Sequence, residues 1–174
     1  AINVLAAKGI VSGVADNQFA PDSNVTREAF VKMILLSANV FEKGHTSTFE
    51  DVDNSQWYGE YIGCAQTKNI VNGITDTQFG VGMSITRQDM AVMLVRIANT
   101  TGISLGKNRN YNNFADQNEI ADYAVEAVKT LYCADVINGD ENGNFCPNNS
   151  LTRAEAAKVI YEMCFAAKKK SSTY

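Results

Sequence analysis

The fold of this chain is decided by a short pattern, GITDTQF at residues 73–79 followed by ITR at residues 85–87. The pattern has counterparts within residues 13–27 and 139–153, where the glycine, the phenylalanine and the Thr-Arg pair recur. In every copy the phenylalanine follows the glycine by six residues, and the threonine follows the phenylalanine by seven. Three ungapped matches at these intervals indicate an internal repeat, which is the first feature to seek in a sequence.

A helix is predicted after each Thr-Arg pair. Apolar residues follow it at spacings of three and four, as in Met90, Met93 and Leu94, which is typical of one face of an amphipathic helix. The threonine is a good N-cap, because its hydroxyl can accept a hydrogen bond from a free backbone N–H group. In the third copy Thr152 and Glu155 also form a capping-box pattern.

A second helical pattern precedes each glycine and covers residues 2–8, 57–69 and 121–135. Each copy is therefore predicted to be a helix, a loop and a helix, with polar linkers at residues 42–48 and 99–113. Such helix pairs cannot each bury an apolar face alone, whereas three of them can do so around a shared axis. We therefore predict one compact all-α domain with pseudo-threefold symmetry.

The repeats divide the 174 residues into three units of this domain, at 1–42, 43–106 and 107–174. A length of 174 residues fits a single domain. A short lead-in segment opens the second unit at residues 49–52 and the third unit at residues 114–116. The first unit starts inside its first helix without such a segment, so we expect this end to be truncated or processed and the groove that needs the segment to be affected.

Composition and charge exclude several classes of function. The net charge of −4 argues against a partner such as duplex nucleic acid, which selects for basic excess. The longest apolar stretches fall far short of the ~20 residues that span a bilayer, so membrane insertion is not expected. His45 is the only histidine and no cysteine pair is spaced as Cys-x-x-Cys, so neither a zinc site nor another cofactor is expected.

The four cysteines leave two alternatives, free thiols or one or two disulfides. Cys64, Cys133 and Cys164 lie in helical patterns, where a buried cysteine acts as a small hydrophobic residue. Cys146 lies in a loop, and an extracellular protein could oxidise it against a neighbour that the sequence cannot identify. The pattern favours free thiols.

The ordered motifs resemble the S-layer homology (SLH) repeat, and the resemblance covers nearly the whole chain. Each motif alone is weak, but the ordered set occurs three times. The second copy matches best, through Phe49, Asp51, Trp57, NIVNG at residues 69–73, Phe79 and ITR at residues 85–87. The third copy matches through Phe114, Asp116, Tyr123 in place of tryptophan, ING at residues 137–139, Phe145 and LTRAE at residues 151–155. The first copy keeps GIVSG at residues 9–13, Phe19 and VTR at residues 25–27.

The resemblance implies a three-pronged helical spindle that binds secondary cell-wall polymers in the grooves between its prongs, often through a pyruvylated amino sugar. It implies an extracellular, non-catalytic anchor that holds a larger surface protein or S-layer subunit to bacterial cell-wall polysaccharide, a peptidoglycan-linked polymer. The arginine of each Thr-Arg pair and nearby loop backbone groups would meet the ligand carboxylate. The ligand-binding residues implied in this way are Arg27, Arg87, Arg153, Gly13, Gly73 and Gly139. The residues implied to complete or support the grooves are Asp51, Asp116, Trp57 and Tyr123.

The chemistry of the Thr-Arg pairs supports an anion site independently. A cation at the first helical position is mildly unfavourable, because the helix N-terminus carries roughly +0.5 of a charge. A ligand carboxylate would explain it, since free N–H groups and a guanidinium bind anions well. The alternative is that each arginine pairs with an acid of the fold, with Asp51 and Asp116 as candidates. The two interpretations are compatible if the acid orients the arginine and the ligand binds the remaining donors of the guanidinium.

Several other residues have structural alternatives. An aromatic face such as Trp57 suits a sugar ring, although a single tryptophan at a helix start is more often core or cap. The phenylalanines at 19, 79 and 145 are predicted to be wedges that pin the loops, and the glycines to supply positive φ or close approach. Residues 140–144 faintly resemble a calcium loop, but a β-turn fits them better.

Two other classes of function stay open at this point. A glycosidase would need two opposed carboxylates, which the sequence cannot position across a cleft, and no nucleophile has a partner histidine. A protein-interaction module would show a large apolar patch and no saccharide binding.

Overall fold

The computed structural model describes residues 1–11 and 20–166, with the side chains of 165 and 166 left out, so Gly13 and Phe19 lie outside the described residues. A 3-10 turn at Gln117–Glu119 precedes the fifth helix, and a π-helical turn at Glu162–Ala166 follows the sixth. Within the described ranges there is no strand, and the all-α prediction is confirmed. The α-helices are α1 Ile2–Ala7, α2 Arg27–Ala38, α3 Gly59–Thr67, α4 Arg87–Thr101, α5 Asp122–Cys133 and α6 Arg153–Tyr161.

The second helix of every repeat begins at the threonine of its Thr-Arg pair, as predicted. The hydroxyls of Thr26, Thr86 and Thr152 accept hydrogen bonds from the backbone N–H three residues later. The capping box is present as well, since the Glu155 carboxylate accepts the N–H of Thr152 at 2.9 Å. Because these caps fix where each helix starts, every arginine of a Thr-Arg pair lies at a junction between loop and helix.

The first helix of every repeat ends with a left-handed residue at an equivalent position. These residues are Gly9, Asn69 and Asp135, with φ of 67°, 56° and 62°. Glycine adopts this conformation without a Cβ penalty, and asparagine and aspartate tolerate it better than other residues. The left-handed residue turns the chain out of the helix at the same point in each repeat.

The three loop–helix junctions are joined in a closed ring of backbone hydrogen bonds. The N–H of Val25 donates to the Leu151 carbonyl at 2.9 Å, that of Leu151 to Ile85 at 3.0 Å, and that of Ile85 to Val25 at 2.9 Å. All three side chains are buried. Each junction donates to one neighbour and accepts from the other, so no repeat can leave the ring without breaking two of these bonds.

A second backbone hydrogen bond joins each pair of neighbouring junctions in the ring. The backbone N–H groups of the three junction arginines donate to carbonyls of the adjoining loop at 2.9 to 3.0 Å. The donor–acceptor pairs are Arg27 to Met83, Arg87 to Asn149 and Arg153 to Ser23. Each pair of repeats thus shares a short antiparallel bridge, which fixes the position of one junction against the next.

The main packed helix pairs cross the repeat boundaries. Helix α3 packs on α2, α5 packs on α4, and α1 packs on α6 at the two ends of the chain. The first helix of each repeat therefore covers the second helix of the preceding repeat, in cyclic order. One contiguous core joins them, with fully buried residues from all three repeats such as Phe30, Ile62, Leu94, Leu131 and Ile160. A threefold arrangement requires this order, and the three-pronged spindle as an overall shape stays a prediction.

The loop phenylalanines are wedges, as predicted for the two that the structure describes. Phe79 and Phe145 are fully buried, and their ring centroids lie 5.9 Å from Phe49 and 5.4 Å from Phe114. A Cβ on Gly139 would lie 3.1 Å from the Phe114 ring. The lead-in segment and the loop of each of these two repeats are therefore packed together through aromatic rings.

The cysteines follow the sequence expectation in position. Cys64 and Cys133 lie in α3 and α5, and Cys164 lies in the π-helical turn, all three buried. Cys146 is partly buried in its loop, and Cys64, Cys133 and Cys146 are free thiols in the structure.

Close packing predicts different costs for two glycines of one loop. Gly73 has a φ of +74°, and a Cβ there would lie 2.5 Å from the Gln78 carbonyl oxygen and 2.7 Å from the Phe49 ring. Gly82 has a similar φ of +79° with nothing within 4 Å. We expect Gly82→Ala to lower the free energy of unfolding by about 1 kcal/mol, and Gly73→Ala by about 3 kcal/mol. Urea denaturation measures both values, and equal costs would contradict the close approach.

Candidate functional site

Within the described residues, three grooves lie where the repeats meet, and an arginine of a Thr-Arg pair lines each of them. The Arg27 groove has a volume of about 340 Å³, with Gly73, Asp89, Val92, Arg96 and Tyr123 in its lining. The Arg87 groove has a volume of about 540 Å³, with Asn138, Gly139, Asp140, Glu155 and Lys158 in its lining. The Arg153 groove has a volume of about 210 Å³, with Ala29, Lys32, Met33 and Trp57 in its lining.

The first and third of these grooves are assembled from all three repeats. In the Arg27 groove the first repeat supplies the arginine, the second repeat supplies a loop and helix α4, and the third repeat supplies Tyr123. In the Arg153 groove the third repeat supplies the arginine, the first repeat supplies α2, and the second repeat supplies Trp57. The cyclic packing is therefore what brings the predicted site residues together.

Arg27 extends from the start of α2 into the loop of the second repeat. Its Nε donates to the Phe79 carbonyl at 2.9 Å, and its Nη1 donates to Asp89 Oδ2 at 2.6 Å. The guanidinium carbon lies 5.2 Å from the centroid of the Phe79 ring. The side chain is only 4% exposed, so this arginine is largely committed to internal partners.

Arg87 makes the equivalent contacts in the next groove, but less tightly. Its Nε donates to the Phe145 carbonyl at 2.8 Å, while Nη1 lies 3.4 Å from Glu155 and Nη2 lies 3.3 Å from the Asn138 carbonyl. Its side chain is 18% exposed. Arg153 also has an interaction partner. In its groove Ala29 occupies the position that Asp89 has in the Arg27 groove and Glu155 has in the Arg87 groove.

The acid partners of Arg27 and Arg87 are Asp89 and Glu155, and not the candidates Asp51 and Asp116 that the sequence suggested. Each acid stands on the second helix of the following repeat, three residues after its N-cap threonine. Sequence reasoning assigned Glu155 only to a capping box and did not single out Asp89, because the arginine that each acid meets belongs to another repeat. The sequence signal for these acid partners is an acid three residues after the N-cap threonine in the second and third copies. The first copy has Ala29 at this position.

Asp51 and Asp116 hold the loops that the arginines contact. The Asp51 carboxylate accepts hydrogen bonds from the N–H groups of Phe79, Gly80 and Val81 at 2.7 to 2.9 Å. Partial burial disfavours the charged carboxylate, but these donors outweigh it and hold the pKa of Asp51 below its usual value. Asp116 accepts two equivalent N–H groups of the third repeat, those of Phe145 and Cys146, because Pro147 replaces Val81 and has no N–H. The two aspartates therefore hold loops and are absent from the described groove linings.

The two candidate aromatic residues are exposed. Trp57 is 53% exposed and Tyr123 is 61% exposed, so neither is a core residue. The Tyr123 hydroxyl donates to Asp89 Oδ1 at 2.7 Å. Burial of the hydroxyl, together with the Asp89 carboxylate, raises the pKa of Tyr123 to about 12. Tyr123 is thus hydrogen-bonded to the same carboxylate that holds Arg27.

Sequence reasoning missed the further cations of the grooves. Lys32 and Lys158 stand at equivalent positions, six residues after the N-cap threonine, and Val92 occupies this position in the second repeat. Arg96 stands one turn further along α4. A comparison of the three helices position by position could have found these residues, since the spacing from the Thr-Arg pair is constant.

The Asp140 segment is a turn, as the sequence favoured. Asp140 Oδ1 accepts the N–H groups of Asn142 and Asn144 at 2.9 and 2.8 Å. The part of the chain that the structure describes holds no cluster of three or more metal-ligating side chains. Within the same ranges, every helix is too short or too polar to cross a membrane.

The family model of the S-layer homology domain matches residues 1–31, 48–91 and 113–157. The exoglucanase XynX of Acetivibrio thermocellus is 34% identical over 92% of this chain and 15% of that protein. A surface-layer 125 kDa protein of Lysinibacillus sphaericus is 28% identical, over 92% of this chain and 13% of the relative. A cellulosome-anchoring protein of A. thermocellus is 28% identical, over 86% of this chain and 34% of the relative. The chain thus spans about a third or less of these proteins.

The hydrogen bonds of Asp51 predict both a stability loss and its pH dependence. We expect Asp51→Asn to lower the free energy of unfolding at pH 7 by about 2 kcal/mol, because charge-assisted bonds to N–H groups are lost. The folded-state pKa lies below the ordinary value of 3.8. The stabilisation is therefore complete above that value and is lost as the pH falls through the folded-state pKa.

Thermal melts from pH 7 to pH 2 check this expectation, with the exposed Asp76→Asn as the matched control in the same loop. The difference in melting temperature between the wild type and Asp51→Asn should narrow below about pH 4. If Asp51→Asn lowered the melting temperature at pH 7 no more than Asp76→Asn does, that result would contradict the role of Asp51.

Proposed function

Because this chain belongs to the S-layer homology domain family, we propose that it anchors a larger surface protein by binding secondary cell-wall polysaccharide in the grooves between its repeats. The family and its surface-layer and cellulosome-anchoring relatives indicate a cell-surface protein associated with the cell wall. The finer part of the proposal is the ligand, a polymer that carries a pyruvylated amino sugar. The passenger that the module holds to the wall lies outside this chain.

The observation that carries the proposal is the composition of the grooves. Arg153 shares a groove with the exposed side chain of Trp57. In the other groove Arg96 accompanies the exposed side chain of Tyr123, beside an Arg27 that is already held by Asp89. A guanidinium binds a carboxylate such as that of a pyruvate ketal through charge-assisted hydrogen bonds. An exposed aromatic face suits the apolar face of a sugar ring. The two halves of a carboxylated sugar therefore have matching partners within one groove.

The proposal assigns no catalysis to this chain. The SLH domain is a non-catalytic anchoring module, and the catalytic domains of the glycosidase relatives lie outside the matched region. Several grooves on one domain would raise the avidity for a repeating polymer, since each further contact is intramolecular once the first has formed.

Sedimentation with purified wall sacculi tests the proposal. We expect the domain to pellet with intact sacculi and to stay in solution after mild acid has removed the polymer and its ketals. Absence of binding to intact sacculi would contradict the anchoring proposal and would favour a protein-interaction module.

The role of the arginines has its own test. We expect Arg87→Ala and Arg153→Ala to weaken binding to sacculi, because each removes a guanidinium from a groove, while circular dichroism shows helical content near that of the wild type. Lys129→Ala, which removes an exposed cation from α5, is the matched control. Full binding by the double arginine variant would contradict the arginine–carboxylate mechanism.

A further inference from the structure

The longer of the two linkers, predicted at residues 99–113, is folded back onto the third repeat. The backbone N–H groups of Asn108 and Arg109 donate to the Cys133 carbonyl at 2.8 and 3.2 Å. The Asn108 side chain donates to the Ala134 carbonyl at 3.1 Å. Because the last carbonyls of a helix have no partner within the helix, these bonds cap the C-terminus of α5. The linker is therefore a fixed part of the third repeat and more than a tether.

Arg109 reaches beyond the helix end to the loop of the Arg87 groove. Its Nε donates to the Tyr132 carbonyl and its Nη2 to the Ile137 carbonyl, both at 2.6 Å. The guanidinium carbon lies 3.6 Å from the centroid of the Tyr132 ring, and Nε lies 3.2 Å from Asp135. A planar guanidinium can join two carbonyls and stack on a ring at once, which a lysine ammonium cannot. Arg109 thus joins the end of α5 to the loop that follows it.

The Ile137 carbonyl directly precedes the part of the loop that Arg87 contacts. Residues 136–139 lie in the lining of the Arg87 groove, and Arg87 Nη2 donates to the Asn138 carbonyl at 3.3 Å. Two arginines therefore hold two consecutive carbonyls of one loop, Arg109 from the linker and Arg87 from the groove.

Aromatic packing gives a second connection between Arg109 and this groove. The Tyr132 ring that stacks against the guanidinium packs edge-on against Phe114, with centroids 5.2 Å apart. The Phe114 ring in turn lies so close to Gly139 that an added Cβ would approach it to 3.1 Å. A displaced guanidinium would therefore be felt at Gly139 through two rings as well as through the carbonyl of Ile137.

The Arg27 groove has no such support. Val71 occupies in that groove the position that Ile137 has in the Arg87 groove. Within the described residues, no side chain donates a hydrogen bond to the Val71 carbonyl. The shorter linker, at residues 42–48, contains no arginine. The carbonyl contact of Arg109 therefore distinguishes these two grooves.

We propose that Arg109 is a positioning residue of the Arg87 groove. It holds residues 136–139 from the side of the linker, so that the loop keeps its place against Arg87. The inference rests on the proposed function for its binding readout and deepens it, because it assigns a role in one groove to a residue outside the repeated motifs.

NMR of the full chain without any ligand tests the structural half of this inference. We expect Arg109→Ala to shift the backbone amide resonance of Gly139 and the Nε–H resonance of Arg87, while the amide of the equivalent Gly73 stays in place. Lys107→Ala, which removes an exposed cation from the same linker, is the matched control and should shift none of these resonances. Unchanged Gly139 and Arg87 signals in Arg109→Ala would overturn the inference.

Sedimentation with intact wall sacculi tests the functional half. We expect Arg109→Ala to raise the apparent Kd about fivefold in the wild type but less than about twofold in an Arg87→Ala background, because effects within one network are not additive. A residue that only stabilised the fold would have the same effect in both backgrounds. Lys107→Ala should leave the Kd unchanged.

Arg109→Lys covers the case in which the alanine variant does not fold. It keeps the cation at the end of α5 but cannot join both carbonyls, so it should also weaken binding. Wild-type affinity in Arg109→Lys, or an equal effect of Arg109→Ala in both backgrounds, would overturn the inference and leave the proposed function standing. Absence of binding by the wild-type chain would instead remove the proposed function, and this inference with it. The wild-type control therefore distinguishes the two failures.

Discussion

The structure depends on the closed ring in which Val25, Ile85 and Leu151 exchange backbone hydrogen bonds. The ring joins residues that are distant along the chain, and it sets each Thr-Arg pair against the loop of the next repeat. The buried arginine contacts, the cross-repeat helix pairs and the grooves all follow from this order. A single repeat would have neither a groove nor a partner for its arginine, so the grooves form only when the ring closes.

A constant geometry with variable charge distinguishes the three described grooves of the domain. The caps, the left-handed turns and the phenylalanine wedges are equivalent in the repeats where they are described, and they keep the frame constant. The positions three and six residues after the N-cap threonine point into the grooves and differ between copies, with Asp89 and Val92 in the second and Ala29 and Lys32 in the first. The charge of a groove can therefore change at these positions without any change to the frame.

The sequence predicted the local parts of this structure well, because they depend on short spacings. Periodicity located the helices, the Thr-Arg pairs located the caps, and a constant interval located the loop wedges. It did not predict that Asp89 would pair with Arg27, because that contact joins two repeats, and intervals along one repeat carry no information on contacts between repeats. For the same reason Lys32 was not recognised as a neighbour of Trp57, which lies in the next unit of the chain.

The measurement that tests the account most directly is native-state hydrogen exchange of the ring amides, followed by NMR. If the three repeats form one cooperative unit, the amides of Val25, Ile85 and Leu151 exchange only through global unfolding and give the same opening free energy. A lower opening free energy at one of these amides, with protection kept at the other two, would mean that a repeat can leave the ring on its own. That result would contradict the claim that the ring holds the grooves together.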